Sequence, residues 1–294
     1  MRERLPRVLR KLIVRLASAA LLVLAAGLIC ATLVRFAPGF GTDERELDSR
    51  LSNDSVQSLR AEHEPERSVT RYYAAYLGGL MRGDLGSSHQ FGQPVSQLLK
   101  ERLPVTLENI ALGLALAWLV AMVLAWAAAA AQNAFADVAL SLFAGALISL
   151  PAAVVALFIA VARKPASFAI ALSLAPVLYR YARNILQRSC SDTWIMAARA
   201  RGMGRMQVMF RHVLPFAAPQ MIAVAGVSVN MAFGAALPIE VVADSPGVGQ
   251  LAWQAALGRD LPLLITLTAF VAMLTMLSNA GAAFIKEAIQ PRQA

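Results

Sequence analysis

The sequence predicts an all-α membrane protein with six transmembrane helices. Its 294 residues are 58% hydrophobic and only 15% charged, whereas a soluble domain carries about 25% charged residues. Several uncharged runs approach or exceed the roughly twenty residues that cross a bilayer as a helix. The net charge of +9 is concentrated between these runs and at the chain ends. It therefore indicates membrane topology and contact with anionic lipid, and no nucleic-acid motif accompanies it.

The first predicted span is residues 16–34, which contain no charged residue. Residues 1–11 before it carry five basic side chains against one acid, 5 − 1 = +4, so the positive-inside rule places the N-terminus in the cytoplasm. A secretory signal peptide is the rival interpretation, because it also begins with a basic region. Since the apolar run is longer than the core of a usual signal peptide, we expect a cytoplasmic N-terminus and a retained span within residues 1–35.

Residues 36–104 form the one long polar region, which we predict to be periplasmic. Within it, residues 71–80 place apolar and aromatic side chains on a helical period. This pattern indicates a helix that lies on the outer surface of the bundle.

Residues 105–288 hold the five remaining spans, and residues 289–294 form a cytoplasmic tail. The spans are centred on residues 110–131, 138–162, 165–179, 213–239 and 261–285. Prolines predict a kink at Pro151 and breaks in the fifth span near Pro215, Pro219 and Pro238. The third and fourth spans are separated only by an Arg-Lys-Pro turn at 163–165, whose positive charges lie outside, against the positive-inside rule.

The chain is organised around a basic stretch, residues 192–213, between the fourth and fifth spans. Residues 179–212 contain seven arginines against one acid, 7 − 1 = +6, which indicates a cytoplasmic position. Residues 196–201 favour a helix, and Gly202 and Gly204 then permit a turn. An ordinary cytoplasmic loop that is basic only for topology is the alternative interpretation.

Short motifs occur in order in the predicted outer segments: RGDLGSS, ERLPVTLE, DSPGVG and RDLP, beginning at residues 82, 101, 244 and 259. They resemble signatures of the permease subunits of ABC importers in the dipeptide, oligopeptide and nickel branch. The resemblance assigns an outer, periplasmic role to Arg82, Gly83, Asp84, Leu85, Gly86, Glu240, Pro246, Gly247, Gly249, Arg259 and Asp260. Glu240 would contact a binding protein, close an outer gate, or cap the loop in an ion pair with Arg259.

The basic stretch resembles the "EAA" coupling loop of the same family, with two alanines, a glycine and a distal Leu-Pro at the family spacing. It departs from that pattern at Met196, where the family has glutamate. In the family this loop is a coupling helix in a cleft of the ATPase subunit. The resemblance assigns that contact to Ala197, Ala198, Arg199, Arg201, Gly202, Arg205, Arg211 and His212.

The resemblance implies the type I ABC importer permease fold: six spans with a cytoplasmic coupling helix in the bacterial inner membrane, and both termini inside. It also implies a second homologous permease subunit, two ABC ATPase subunits and a periplasmic solute-binding protein. The chain itself would then be no enzyme and would hold no cofactor, because ATP and magnesium would bind the ATPase subunits. The transported solute would be a di- or oligopeptide, or a related small solute such as nickel.

The chain contains no phosphate-binding P-loop and no H-E-x-x-H zinc motif, so the sequence predicts neither its own ATP site nor a metal site. Ser228 and Asn230 in the fifth span are candidates for a substrate path, although such residues more often form hydrogen bonds between helices. A self-sufficient channel or ion-coupled carrier is the alternative function. The scarcity of ionisable residues in the spans disfavours it, because such carriers place them at the membrane midplane.

Overall fold

The computed structural model describes residues 21, 24–29, 32–33, 69–80, 82–131, 134–190 and 201–289. Nearly all of these residues are helical. The helices are α1 (Val69–Leu80), α2 (Val95–Ala131), α3 (Ala134–Ile148), α4 (Ala152–Val161), α5 (Ala166–Cys190), the short α6 (Arg205–Val208), α7 (Leu214–Val242), α8 (Val248–Leu257) and α9 (Leu261–Ile289). A π-helical turn, Met209–Val213, joins α6 to α7.

Within the described residues, three helices are long and apolar enough to cross a membrane, namely α2, α7 together with the turn before it, and α9. They coincide with the second, fifth and sixth predicted spans. The helices α3 and α4 form a fourth candidate only if they are counted as one span, because they meet at an angle of 91°. The predicted first span lies mostly outside the described residues. The fourth corresponds to α5, whose second half carries three arginines.

The predicted kink of the third span at Pro151 is confirmed: the chain turns by 91° there and begins a new helix at Ala152. The predicted breaks of the fifth span at Pro219 and Pro238 are wrong, because α7 continues through both. Near Pro215, the regular helix begins at Leu214 after the π-helical turn. Helices in apolar surroundings tolerate proline because local adjustments satisfy the freed backbone groups.

The described residues group into two compact units. The first unit contains the described residues up to Arg102 together with Leu251–Leu274. In it, the aromatic side of α1 packs on the start of α9, where Tyr73 contacts Leu261 and Ile265. The helix predicted for residues 71–80 is therefore confirmed, and aromatic packing holds it in place.

The second unit contains Leu103–Gln250 together with the described residues from Thr275 onwards. Its centre is α5, which packs against α3, α4 and α7 through a buried face of mostly small and aliphatic residues. Gly113 of α2 lies so close to α5 that a Cβ there would be 2.8 Å from the Ile170 side chain. Small residues at such a crossing let helix backbones approach closely.

Candidate functional site

In the first unit, the loop that carries the RGDLGSS motif is fastened to the start of α9 by Asp260. This carboxylate is buried and accepts hydrogen bonds from the Ser88 hydroxyl and from the Gln90 backbone N–H at 3.1 Å. Its other oxygen accepts the Leu263 backbone N–H at 3.2 Å, so Asp260 is also the N-cap of α9. Two motifs separated by more than 170 residues are thus brought together by one acid.

Glycines shape this loop. Gly83 and Gly86 have φ angles of +80° and +76°, in a region that residues with a Cβ rarely adopt. Between them, the Asp84 carboxylate accepts the Gly86 backbone N–H at 2.9 Å. Arg82 is exposed, and Leu85 is half-buried. The loop is therefore a compact turn whose charged side chains point to its surface.

Thr266 and Tyr76 complete this cluster, and sequence reasoning had not assigned a role to either. The two hydroxyls lie 3.1 Å apart, and Thr266 donates to the Pro262 carbonyl at 2.8 Å. Burial raises the pKa of the Tyr76 phenol above its ordinary value. Arg259, which precedes Asp260, is exposed and has a φ of +51°.

In the second unit, Glu240 lies fully buried in the last turn of α7. The Gly249 backbone N–H donates to its carboxylate at 2.8 Å. A Cβ on Gly247 would be 2.3 Å from the same carboxylate, and one on Gly249 would be 2.5 Å from the Leu237 carbonyl oxygen. Both motif glycines are therefore required because the loop folds tightly over this acid. Pro246, which precedes Gly247, is exposed.

The start of α2 supports the same loop. The Thr106 hydroxyl accepts the Val248 backbone N–H at 2.8 Å, and the Asn109 amide donates to the Ser245 hydroxyl at 3.0 Å. Thr106 belongs to the ERLPVTLE motif, so two further motifs meet within one unit. We call this region of the second unit the loop end.

The basic stretch is described only from residue 201 onwards, so Ala197, Ala198 and Arg199 lie outside the described residues. Arg201 and Gly202 are exposed in a turn, and Gly202 has a φ of +82°, as its predicted turn requires. Arg205 begins α6. Arg211 is exposed and His212 is half-buried in the π-helical turn.

Aromatic and charged contacts join helices of the second unit at the ends that lie away from the loop end. The rings of Trp126, near the end of α2, and Phe210, before α7, have centroids 6.0 Å apart. Asp137 in the first turn of α3 forms an ion pair with Arg183 of α5. We call this region the basic end.

A third contact lies between the two ends. The Trp118 indole N–H of α2 donates to the Ser228 hydroxyl of α7 at 3.0 Å, and that hydroxyl donates to the Ala225 carbonyl at 2.7 Å. Ser228 is fully buried, which matches the interhelical role left open by the sequence. Asn230 is half-buried.

The two ends of the second unit are about one membrane thickness apart. From Asn109 to Trp126, 126 − 109 = 17 residues of α2 rise by about 26 Å at roughly 1.5 Å per residue. A bilayer's hydrocarbon core is about 30 Å thick. Among the described residues, no group of three or more His, Cys, Asp or Glu side chains is arranged to hold a metal ion.

Comparison with known proteins gives a family match over more than half of the chain. Residues 121–294 match the family described as binding-protein-dependent transport system inner membrane component. A candidate peptide permease of Brucella ovis is 27% identical across 92% of this chain and 94% of its own length. The dipeptide transport system permease DppB of Lactococcus lactis subsp. cremoris is 24% identical across 83% of this chain and 86% of its own.

A solved structure with a similar fold is an inward-facing form of the MetNI methionine ABC transporter. One of its chains superposes with a TM-score of 0.60, covering 67% of this chain and 98% of that chain at 18% identity.

Proposed function

Because the chain belongs to the family of binding-protein-dependent transport system inner membrane components, we propose that it is the permease through which an ATP-driven importer passes peptides. As a permease component of a binding-protein-dependent ABC importer, the chain is a transporter subunit and not an enzyme. The relatives described above give no support to a self-sufficient channel or ion-coupled carrier.

The observation that carries this proposal is the separation of the second unit into two chemically different ends about 26 Å apart along α2. The basic end exposes Arg201 and Arg211, whereas the loop end buries Glu240 under a turn. The positive-inside rule then orients the basic end toward the cytoplasm. The loop end faces the periplasm in this arrangement, where a solute-binding protein would meet the exposed Pro246 and Asp244.

In this orientation, residues 192–213 form the coupling helix and meet an ATPase subunit. The described part of that stretch has the chemistry of such a contact, because Met206 and Phe210 are more than half exposed beside exposed arginines. Methionine and aromatic side chains pack adaptably into a partner's groove. ATP and magnesium bind the ATPase subunits, where nucleotide-driven closure moves the coupling helix and tilts the spans.

The full assembly contains a second homologous permease, two ABC ATPase subunits and a periplasmic solute-binding protein. This chain supplies six spans and half of the translocation path, with both termini in the cytoplasm. The family implies these classes of partner. Peptide is the preferred solute because the Brucella and Lactococcus relatives are named for peptides, and nickel is the second possibility.

The coupling role is tested by Arg201→Glu and Gly202→Val in the complex assembled with its ATPase subunits in proteoliposomes. A Cβ at Gly202 has open space around it, so Val acts through the strain of a positive φ, worth about 1–2 kcal/mol. Both variants should assemble, hydrolyse ATP and import poorly. Lys164→Glu is the matched control, because Lys164 is an exposed base outside the basic stretch. Normal import by both variants would refute the coupling role.

The substrate path is tested separately by Asn230→Ala and Ser228→Ala. Asn230 is the better candidate, since the Ser228 hydroxyl is already occupied by Trp118 and by its own helix. We expect Asn230→Ala to change the solute concentration at half-maximal import and Ser228→Ala to change only stability. The opposite pattern would assign the path to Ser228.

A further inference from the structure

The ion pair at the basic end is unusually complete. Arg183 donates from Nε to one oxygen of Asp137 at 2.5 Å and from Nη2 to the other. The Gln187 side-chain amide donates to the second oxygen at 3.2 Å. Both oxygens of the carboxylate are therefore engaged, and we call these three residues the Asp137 clamp.

The clamp lies where charge is costly. The Arg183 and Asp137 side chains are only 21% and 20% exposed, and Asp137 begins the apolar segment of α3. Asp137 is also the only acidic residue between Glu108 and Asp192. Ionisable residues within apolar segments are rare, pair with one another and mark functional positions.

The clamp supplies what the apolar packing of α5 lacks. The buried face of α5 consists mainly of small and aliphatic residues, which provide packing but no directional polar contact. An arginine that binds both oxygens of a carboxylate has a fixed geometry. The dipole of α3 adds to it, because Asp137 is in the first turn of that helix.

The position of the clamp connects it with the basic stretch. Gln187 and Arg183 lie in the last two turns of α5, which ends at Cys190, two residues before the stretch at 192–213. Because only residue 191 separates α5 from the stretch in the sequence, a displacement of this end of α5 moves the point of the chain at which the stretch begins. The clamp therefore fixes the helix from which the stretch begins.

We propose that Asp137, Arg183 and Gln187 are positioning residues that anchor the end of α5, so that movement of residues 192–213 reaches the spans instead of being lost in sliding of α5. This inference rests on the proposed function, because it assumes that the stretch is the contact with the ATPase. A clamp that only stabilised the fold would change the amount of folded protein without changing how much ATP is used per imported solute.

The test measures ATP hydrolysed per solute imported, in the assembled complex in proteoliposomes, for Asp137→Ala and Arg183→Gln. Each variant should raise this ratio about tenfold, the factor that corresponds to about 1.4 kcal/mol of coupling free energy. The exchange of both residues, Asp137→Arg with Arg183→Asp, should restore part of the coupling, because it keeps a pair of opposite charges but places the arginine at the N-terminus of α3, where the helix dipole disfavours it. Arg180→Gln is the matched control, because Arg180 is exposed on the same helix and loses the same charge; its ratio should be unchanged.

Arg183→Lys keeps the test decisive if the larger changes prevent assembly. Lysine preserves the charge but cannot bind both oxygens in a planar fork, so we expect an intermediate ratio in a complex that assembles normally. The proposal for the clamp is refuted if Asp137→Ala, Arg183→Gln and Arg183→Lys all keep the normal ratio of ATP hydrolysed to solute imported. It is also refuted if the variant with the exchanged pair stays as uncoupled as the single variants.

Arg201→Glu in the same assay separates the two proposals. If Arg201→Glu uncouples hydrolysis from import and the clamp variants do not, the clamp proposal is refuted and the coupling role of the stretch is supported. If neither Arg201→Glu nor Gly202→Val uncouples hydrolysis from import, the role of residues 192–213 is refuted, and the clamp proposal that rests on it is refuted with it.

Discussion

Replacing Asp260 with alanine removes the acid that joins the loop of the RGDLGSS motif to α9. Three donors lose their acceptor: the Ser88 hydroxyl, the Gln90 backbone N–H and the Leu263 backbone N–H. Ser88 is itself buried, so water cannot readily replace the carboxylate. The loop and the first turn of the helix should therefore loosen together.

The expected cost follows from these contacts. Loss of an N-cap costs about 1 kcal/mol, and loss of a buried hydrogen bond to a charged group costs about 1.5–3 kcal/mol. Since one acid serves all three donors, the terms overlap, and we expect Asp260→Ala to lower the free energy of unfolding by about 3 kcal/mol. Asp260→Asn keeps a good N-cap and should cost less.

Hydrogen exchange and thermal unfolding of the purified complex in detergent measure this effect. The amides of Gln90 and Leu263 should exchange much faster in Asp260→Ala, and the melting temperature should fall. Asp84→Ala is the control, because Asp84 is an exposed acid in the same loop with a single backbone contact. If the Gln90 and Leu263 amides exchanged no faster in Asp260→Ala than in Asp84→Ala, Asp260 would not be the link between the loop and the helix.

Two glycine substitutions make further predictions about packing, each measured by the melting temperature in detergent. Gly113→Ala should destabilise the protein by about 1–3 kcal/mol, because its Cβ would be 2.8 Å from Ile170. Gly145→Ala is the control: its Cβ meets open space, so this variant should be neutral or slightly stabilising. Equal melting temperatures for the two variants would contradict the close approach of α2 and α5. Gly247→Ala should lower the free energy of unfolding by about 2 kcal/mol or more, since its Cβ would be 2.3 Å from the buried Glu240 carboxylate. A normal melting temperature would show that the loop does not fold tightly over that acid.

Helices and local turns were largely predictable because their signals are local. The apolar run at 261–285 became α9, the Arg-Lys-Pro turn at 163–165 ends α4 and begins α5, and Gly202 adopts the positive φ that its turn demands. The bend at Pro151 was predictable in its position but not in its angle. Proline predicts that a helix is disturbed, but the angle depends on what each half packs against.

The contacts that assemble the site were not predictable in the same way. Ser88 and Asp260 are separated by 172 residues, and Asp137 and Arg183 by 46. One local signal was available, because Asp260 followed by Leu-Pro has the form of an N-cap before a proline in the first helical turn. That signal predicts the cap on α9, but it does not predict which loop the carboxylate also binds.

The burial of the two motif acids changes how the motifs are understood. A residue that recognises a solute or a partner protein must present its polar atoms to that partner, yet Asp260 and Glu240 direct theirs at backbone amides of their own loops. Both acids therefore contribute to holding turns in place, Asp260 through both oxygens and Glu240 through one. Exposed residues of the same segments are left for contact with a partner: Arg82 and Arg259 in the first unit, and Pro246 in the second. Variants of the buried acids should therefore act on loop stability, whereas variants of these exposed residues should act on partner binding without a change in melting temperature.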